Sequence, residues 1–320
     1  MKKELNIVIC GFGTIGQRHF NNLKRLAPKS KIYIVSKRKD IVASNVVRSF
    51  SVLQKFGPFD AIMVCNETYK HKKSILQAIN LQPRAIFVEK LIALNTSEAM
   101  EIKKALKGKR IHFFVGYSRQ FWKPYITIKN IIKKKQLGKI YYMRVSCGQN
   151  LTDWRKRDYR KTYSAKSKTG GGAVLDIIHE INFPAWALLE KIRYKASITG
   201  KVSALKVEAE DIAESVFQTN SKTVVSIHQD CIRVPGKWSC DIIASKASLH
   251  WNSFSEKIII SDGKKSSRIF VSDTWNNMFV REMSYFLKLL EKKNTFSNIL
   301  EAINDMRNAE LIKSYGKNKR

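Results

Sequence analysis

The sequence predicts an α/β protein with two domains: an N-terminal doubly wound parallel sheet and a C-terminal α+β domain with a largely antiparallel open sheet. At 320 residues, the chain is long enough for two domains and short for three. Up to about residue 122, short apolar runs alternate with segments of helical spacing, whereas residues 194–271 contain successive β-rich runs. We therefore expect domains at 1–122 and 123–320.

In the first half, each apolar run has the length of a buried strand. The five candidate strands are 6–10, 31–35, 61–64, 85–88 and 112–115. Helical spacing follows the first of them, at Ile15, Phe20, Leu23 and Leu26. Strands that alternate with helices predict parallel pairing, because a parallel pair needs a long crossover connection.

The second half has a different pattern. A helix is predicted from Pro124 to the stop at Leu137-Gly138, followed by a strand over 139–146 and a polar stretch over 149–168 that precedes a further helix. The β-rich runs that predict the antiparallel sheet are 213–217, 223–228, 241–244, 248–251 and 257–260. Helical spacing returns from Phe279 to Leu290, and a last helix is predicted over 298–314.

The chain is strongly basic, with 59 Lys and Arg against 26 Asp and Glu and a formal net charge of +33. Such a charge is found in proteins that bind nucleic-acid backbones. Here the lysines are spread along the whole chain and are not gathered in one arm or helix, so we expect a solvated basic surface and no nucleic-acid partner. The same surface would attract anionic ligands such as phosphorylated cofactors.

The cysteines and the apolar runs indicate the compartment. Five cysteines form an odd set without a C-x-x-C pair, which argues against a disulfide framework and against a zinc site. Glycines interrupt the first apolar run too early for a signal peptide, and no stretch approaches the roughly 18 to 20 apolar residues that cross a bilayer. We therefore expect a cytoplasmic protein without a bound metal and without a membrane partner.

A glycine motif directly follows the first predicted strand and opens a helix, which is the context that a dinucleotide-binding fingerprint requires. Its residues are Gly11, Phe12, Gly13, Thr14, Ile15 and Gly16. In such a motif the first glycine permits a tight turn, the second lets the pyrophosphate approach the backbone, and the third lets the helix pack on the strand. The sequence therefore predicts a Rossmann domain that binds a dinucleotide, against the alternative of a glycine-rich turn without a ligand.

The end of the second predicted strand indicates which dinucleotide is bound. Sites selective for NAD usually have an acidic residue about 20 residues beyond the glycines, where it accepts hydrogen bonds from the ribose. Here the position holds Ser36, Lys37 and Arg38, and a hydroxyl followed by two cations suits a 2′-phosphate. NADP(H) is therefore favoured, and NAD(H) stays possible because Asp40 would bind the ribose if the strand is longer.

Three further motifs stand in the order found in a known family. They are Glu89-Lys90 after the fourth strand, Gly116-Tyr117-Ser118-Arg119 after the fifth, and Gly170-Gly171-Gly172 ahead of Asp176 and His179. Together with the first glycine motif, they resemble the glucose-fructose oxidoreductase, inositol dehydrogenase and rhizopine-catabolism family, Gfo/Idh/MocA. The resemblance spans nearly the whole chain, and it implies a Rossmann domain followed by a domain for substrate binding and oligomerisation.

The resemblance implies catalytic roles for three residues. Lys90 is similar to the family's catalytic lysine, which would orient the substrate oxygen and stabilise its developing charge; the family usually has proline next, but here Leu91 follows. His179 is similar to the family's acid/base, and Asp176 would orient it or bind the substrate. Being three residues apart, the two would share one face of a helix. Without the resemblance, a solvated lysine and a structural histidine are the simpler interpretations.

A polar and aromatic segment before that helix is expected to contact the substrate. It contains Trp154, Tyr159, Arg160 and Tyr163, whose aromatic faces and charges suit a hydroxylated, anionic molecule. The segment resembles that of family members in bacterial surface-sugar and nonulosonate pathways, and the alternative is a polar surface loop. The other candidates are Tyr117 and Arg119 for the substrate, and Asn66, His71 and Glu89 for the cofactor.

The resemblance implies an NAD(P)-dependent oxidoreductase that transfers a hydride to or from a carbon of a sugar, sugar nucleotide or sugar acid. Two alternatives stay open. One is reduction of a non-sugar substrate such as a bilin or an imine, and the other is a ligand-sensing relative without catalysis, because a fold alone does not prove an activity. The family also implies a homodimer or homotetramer, since the open face of its C-terminal sheet commonly pairs with another subunit.

Overall fold

The computed structural model of the protein describes residues 4–41, 45–154 and 158–316. The chain divides into two compact units. The first contains Met1–Ser118 and Phe279–Asn304, and the second contains Arg119–Met278 and Asp305–Arg320. Among the described residues, no helix is both long enough and apolar enough to cross a membrane.

The first unit contains a six-stranded sheet. Its strands are β1 (Asn6–Cys10), β2 (Lys31–Val35), β3 (Val46–Val47), β4 (Ala61–Val64), β5 (Ala85–Glu89) and β6 (His112–Gly116). The helices between them are α1 (Thr14–Leu26), α2 (Phe50–Leu53), α3 (His71–Asn80) and α4 (Thr96–Leu106). The strand order is β3-β2-β1-β4-β5-β6, and every pair is parallel, which confirms the predicted doubly wound sheet.

The second unit contains an eight-stranded sheet. Its strands are β7 (Ile140–Gly148), β8 (Ile192–Gly200), β9 (Ile212–Thr219), β10 (Val224–Asp230), β11 (Lys237–Ala244), β12 (Ser248–Asn252), β13 (Lys257–Ser261) and β14 (Ser266–Phe270). They lie in the order β14-β13-β12-β11-β7-β10-β9-β8, and the pairing is antiparallel except between β7 and β10. The predicted largely antiparallel sheet is confirmed.

The remaining helices are α5 (Lys123–Lys133), α6 (Leu151–Trp154), α7 (Ala173–Asp176), α8 (His179–Leu188), α9 (Trp275–Leu289) and α10 (Ile299–Tyr315). Both α7 and α8 lie against β10. The two sheets differ in burial as their sequences suggest. All four residues of β4 are buried, as expected for a parallel strand covered on both faces, whereas buried and half-buried residues alternate along β9, as expected for a strand with one face on the core.

Candidate functional site

The glycine motif lies at the carboxyl end of β1, where the winding of the first sheet reverses and where open α/β sheets bind ligands. Gly11 has a φ of +92°, and a Cβ there would lie 2.5 Å from the Cα of Asn66. A Cβ on Gly16 would lie 2.1 Å from the carbonyl oxygen of Gly11. Both positions require glycine because the protein's own backbone fills the space. Gly13 is different, since a Cβ there would meet no atom within 4 Å.

The start of α1 leaves its backbone N–H groups available to a ligand. Gly13 and Thr14 are exposed, Ile15 is half-buried, and the first turn has no side-chain cap and no acidic residue. Such a helix start attracts anions, because its first N–H groups have no acceptor within the helix and the helix dipole is positive there. Phe12 packs edge-on against Phe20 with ring centroids 5.5 Å apart, which anchors the loop. These residues fit a dinucleotide's pyrophosphate.

Ser36, Lys37 and Arg38 follow β2 directly, and the structure joins them to the glycine motif. Nη1 of Arg38 donates to the carbonyl oxygen of Phe12 over 2.9 Å, and its Nε donates to the carboxylate of Asp40 over 3.0 Å. The side chains of Arg38 and Asp40 are 48% and 65% exposed. The exposed Lys37 and the hydroxyl of Ser36 lie in the same polar group beside the motif. Within this group, the carboxylate of Asp40 already pairs with the guanidinium of Arg38.

Asn66 and His71 connect the end of β4 with the loop after β5. The side-chain amide of Asn66 donates to Oγ of Ser74 over 2.8 Å. The ring of His71 is 1% exposed, with Nε2 at 2.9 Å from the carbonyl oxygen of Asn66 and Nδ1 at 2.5 Å from that of Leu91. Burial lowers the pKa of His71, although both backbone contacts oppose this. His71 therefore fixes the backbone immediately after Lys90.

Glu89 is the last residue of β5, and the half-buried Lys90 follows it. Oε1 of Glu89 lies 2.6 Å from Nε2 of His19, and the two side chains are 13% and 0% exposed. The peptide bond between Lys90 and Leu91 is cis. The end of β5, directly before Lys90, is thus tied to α1 by a partly buried pair of side chains.

Tyr117 and Arg119 are both buried, with 3% and 8% exposure. The guanidinium of Arg119 lies over three indole rings of the second unit, at 5.0 Å from Trp122, 4.8 Å from Trp238 and 4.3 Å from Trp275. Attraction between a cation and aromatic faces stabilises this arrangement. Because Arg119 is enclosed in this way, its contact with a substrate stays a prediction.

The polar segment before the glycine triplet forms α6 and three short 3₁₀ turns. Trp154 ends α6, and its side chain lies outside the described residues. Tyr159 packs against a buried cluster that includes Leu151 and Cys231. Arg160 is exposed, and its Nε donates to the carboxylate of Asp158 over 2.8 Å. Roles of these three predicted residues in substrate binding stay predictions.

Tyr163 and Asp176, both predicted from the sequence, are brought together. The hydroxyl of Tyr163 donates to Oδ1 of Asp176 over 3.0 Å. Asp176 is only 3% exposed, so this hydrogen bond offsets part of the cost of burying a carboxylate.

The glycine triplet places α7 against neighbouring backbone. A Cβ on Gly171 would lie 2.3 Å from the carbonyl oxygen of Ser164. Gly172 has a φ of +105°, and a Cβ there would lie 2.5 Å from Oε1 of Glu210. The backbone N–H of Ala173 donates to the carbonyl oxygen of Glu210 over 2.9 Å. Glycine is needed here for close contact within the protein.

The prediction that Asp176 and His179 share one face of a single helix is wrong, because Asp176 ends α7 and His179 begins α8. The buried side chain of Gln229 causes the interruption. Its Nε2 donates to the carbonyl oxygens of Val174 and Ile177 over 3.2 and 2.9 Å, so that a side chain from β10 binds the backbone where a continuous helix would bind its own N–H groups. His179 is half-buried at the start of α8.

A buried acid, Glu180, directly follows His179. The hydroxyl of Tyr125 donates to its Oε2 over 2.7 Å. Burial raises the pKa of Glu180 to about 7, and the nearby charge of Arg119 limits the rise. This carboxyl therefore changes its charge near neutral pH, one residue from the predicted acid/base.

Several side chains at these positions could not be predicted from the sequence. Arg48 donates to the carbonyl oxygens of Ser36 and Arg38 over 3.1 and 2.6 Å, but it follows a strand of two residues, too short to leave a periodic signal. His19 lies in the predicted first helix on its buried side, and that apolar spacing was its only sequence signal. Gln229 had no signal, because a polar residue in a strand gives no sign of its partners.

Two family profiles match the chain in succession. One, described as an oxidoreductase family with an NAD-binding Rossmann fold, matches residues 5–117, and the Gfo/Idh/MocA C-terminal domain profile matches residues 125–250. Both matches fall on the parts of the chain to which the sequence motifs pointed.

Individual relatives are distant. An uncharacterised oxidoreductase of Bacillus subtilis, YrbE, is 25% identical over 201 residues, which cover 59% of this chain and 55% of the relative, so the chain spans about half of that protein. Myo-inositol 2-dehydrogenase of Thermotoga maritima is 20% identical over 303 residues, covering 89% and 87%. The crystal structure of the WlbA dehydrogenase from Bordetella pertussis, in complex with NADH and UDP-GlcNAcA, has a TM-score of 0.80 at 15% identity and covers 98% of this chain and 97% of its own.

Proposed function

The chain belongs to the Gfo/Idh/MocA family of oxidoreductases, and from this premise we propose that it oxidises or reduces a carbon that bears a hydroxyl or carbonyl group in a sugar-like substrate. The observation that carries the proposal is the open glycine motif at the winding reversal of the first sheet, with Gly13 accessible and α1 uncapped. When bound, a nicotinamide dinucleotide supplies the hydride chemistry. The backbone around Gly13 and Thr14 would hold its pyrophosphate.

Lys90 and His179 are proposed to serve the substrate oxygen. The ammonium group of Lys90 would orient that oxygen and stabilise the negative charge that develops on it. His179 would exchange the proton, because an imidazole can both donate and accept one near neutral pH. Asp176, held by Tyr163, would orient the histidine or accept a hydrogen bond from the substrate. These roles follow from the family motif, and the burial of Asp176 supports a fixed position for its carboxylate.

A hydroxylated and anionic molecule is the proposed substrate class, namely a sugar acid or a sugar nucleotide. Inositol is named as the substrate of one relative, and a sugar nucleotide is bound in one structure of the same fold. The formal charge of +33 supports an anionic substrate, since a positive surface raises the encounter rate with anions. We also propose that NADP(H) is preferred over NAD(H), because Lys37, Arg38 and Arg48 lie exposed beside the glycine motif.

The cytoplasm remains the proposed location. All five cysteines lie within the described residues, and each is a free, buried thiol, which suits a reducing compartment. A homodimer or homotetramer remains the proposed assembly on the strength of the family resemblance.

Turnover of a substrate panel by single-residue variants tests the proposed function. The panel holds sugars, sugar acids, sugar nucleotides and a linear tetrapyrrole, with reduced or oxidised dinucleotide followed by absorbance. Lys90→Met and His179→Asn should each lower kcat about a hundredfold or more while hardly changing cofactor affinity. Lys109→Met, which removes an exposed lysine, is the matched control and should keep wild-type turnover.

The double variant and the unfolding midpoints complete the test. Lys90→Met with His179→Asn should lose less than the product of the two single losses, because both groups serve one transition state. Unfolding midpoints must stay close to that of the wild type for the kinetic losses to count. Wild-type rates in both single variants would overturn the assignment, and turnover of the tetrapyrrole alone would replace the substrate class.

A further inference from the structure

A cluster of three ionisable side chains, two of them buried and one partly buried, lies at the end of β5, directly before Lys90. It consists of His19 on α1, Glu89 at the end of β5 and Glu282 on α9. One nitrogen or oxygen atom of each side chain lies within 4.8 Å of those of the other two. The cluster belongs wholly to the first unit, and it joins the helix after the glycine motif to β5, which ends at Glu89, one residue before Lys90.

The hydrogen bonding within the cluster is uneven. His19 and Glu89 are paired over 2.6 Å, as described above. Glu282 is fully buried, and neither of its carboxyl oxygens has a hydrogen-bond partner among the described residues. A buried carboxylate without donors is strongly disfavoured, and a second carboxylate nearby disfavours it further. The neutral acid is the form of Glu282 that this environment tolerates best.

The packing next to Glu282 is tight on the side of β6. A Cβ on Gly116 would lie 3.1 Å from Oε1 of Glu282 and 2.6 Å from the ring of Phe87, so glycine is needed at this position of β6. The ring of His19 packs edge-on against Phe87 and Phe279, with centroids 5.0 and 6.1 Å away. Close packing of this kind prevents Glu282 from turning toward solvent.

Further titratable groups on neighbouring elements interact with the carboxyl groups of the cluster. On α1, the partly buried Arg18 interacts with the charge of Glu89. The thiol of Cys65, directly after β4, is buried and interacts with both carboxyl groups. His71 on α3 interacts with Glu89. None of these groups is hydrogen-bonded to Glu282 in the described structure.

We infer that Glu282 is a positioning residue that holds a proton in the folded protein, so that Glu89 is the single carboxylate fixed beside Lys90. This inference rests on the proposed function only in the role given to Lys90. Burial raises the pKa of Glu282 well above its usual range, and the charge of Glu89 adds to the rise. A second charge on Glu282 would repel Glu89, weaken its contact with His19 and displace the strand end that carries the lysine.

Unfolding in urea across a range of pH tests the proton on Glu282 without any substrate. A carboxyl whose pKa is raised by folding stabilises the protein below its unfolded pKa, and this contribution is lost as the pH rises toward the folded pKa. The wild-type midpoint should therefore fall with rising pH relative to that of Glu282→Gln, whose amide cannot ionise. Glu291→Gln makes the same substitution at an exposed position just beyond α9, where folding should not change the carboxyl's environment, and should follow the wild-type curve.

Two outcomes of the unfolding experiment would overturn the inference. One is a constant difference between wild type and Glu282→Gln at every pH. The other is a rise of the wild-type midpoint on adding zinc or manganese that is absent from Glu282→Gln, since the cluster would then be a metal site. If Glu282→Gln does not fold, infrared spectra of the wild type at about pH 9 replace it, and they must contain the carbonyl band of a protonated carboxyl.

Kinetics with a verified substrate test the positioning role. Glu282→Leu should lower kcat about tenfold or more, and Glu282→Gln, which keeps the shape of the neutral acid, should recover most of that loss. Equal losses in both variants, or none in either, would overturn the role. A difference in unfolding midpoint that stays constant with pH would refute the proton on Glu282 and leave the oxidoreductase proposal intact. Absence of turnover on the whole panel would refute the oxidoreductase proposal and leave the proton on Glu282 intact.

Discussion

The two glycine-rich segments of the chain look alike in sequence and differ in what surrounds them. A side chain at Gly13 would project into open space, whereas side chains at Gly171 and Gly172 would lie 2.3 and 2.5 Å from protein oxygens. The first segment opens a helix of 13 residues and leaves its N–H groups available, and the second opens a helix of four residues whose first N–H is bonded to the carbonyl of Glu210. Glycine thus leaves space at Gly13 that the protein does not fill, and at Gly171 and Gly172 it permits close contact with another part of the protein.

The largest expected effect tests this contrast through stability. Gly172→Ala should destabilise the protein by about 3 kcal/mol or more, because the residue has a φ of +105° and its new methyl group would meet Glu210. Gly13→Ala should change the free energy of unfolding by no more than about 0.5 kcal/mol, because its φ of −77° is ordinary for alanine. Urea unfolding measures both.

A second prediction for Gly13→Ala concerns its affinity for the dinucleotide. Gly13→Ala should weaken dinucleotide binding tenfold or more, because the methyl group would occupy the surface on which the pyrophosphate is expected. Isothermal titration of the folded variant measures this. The contrast between the segments fails if Gly13→Ala binds the dinucleotide like the wild type, or if it destabilises the protein as much as Gly172→Ala does.

The same contrast shows which features of the fold and of the candidate site can be predicted from the sequence. Five of the six described strands in the first unit follow from short apolar runs, and the candidate site at Gly11 to Gly16 follows from glycine spacing next to a strand, since both signals are local. The interruption between Asp176 and His179 could not be predicted, because it depends on Gln229, more than 50 residues away. Glu282 was equally hidden: the helical spacing from Phe279 to Leu290 indicates which residues are buried, but not that a glutamate on that side meets another acid.

Glu180, in the helix α8 that follows the glycine triplet and α7, provides a second test with a smaller expected effect on stability. Because burial raises its pKa to about 7, the stability that Glu180 contributes should be lost as the pH rises from its unfolded pKa near 4.3 through the folded one, by about 2 to 3 kcal/mol between pH 5 and 8. Glu180→Gln should lack this decline, and Glu208→Gln, at an exposed position of the same unit, should retain it. Parallel curves for wild type and Glu180→Gln would show that this carboxyl ionises normally.

The smallest expected effect concerns the exposed charges beside the first glycine motif, on which the preference between NADPH and NADH is expected to depend. Wild-type protein should bind NADPH more tightly than NADH, because Arg38 lies 2.9 Å from the carbonyl oxygen of Phe12 and would face a phosphate on the adjoining ribose. Its pairing with Asp40 weakens this attraction, since part of the positive charge is already neutralised. Competitive titration of the two dinucleotides measures the preference.

Substitutions of Arg38 and of Asp40 should therefore change the preference for NADPH over NADH in opposite directions. Arg38→Ala should reduce the ratio of NADPH affinity to NADH affinity several-fold. Asp40→Asn should increase that ratio, because Arg38 then loses its ion pair with the carboxylate of Asp40. Lys39→Ala removes an exposed cation between them in sequence and is the matched control, with little expected change. Raised salt should shrink all these differences, as screening acts most on exposed charges. Tighter binding of NADH by the wild type would instead assign Asp40 to the ribose hydroxyls and make Arg38 its structural partner.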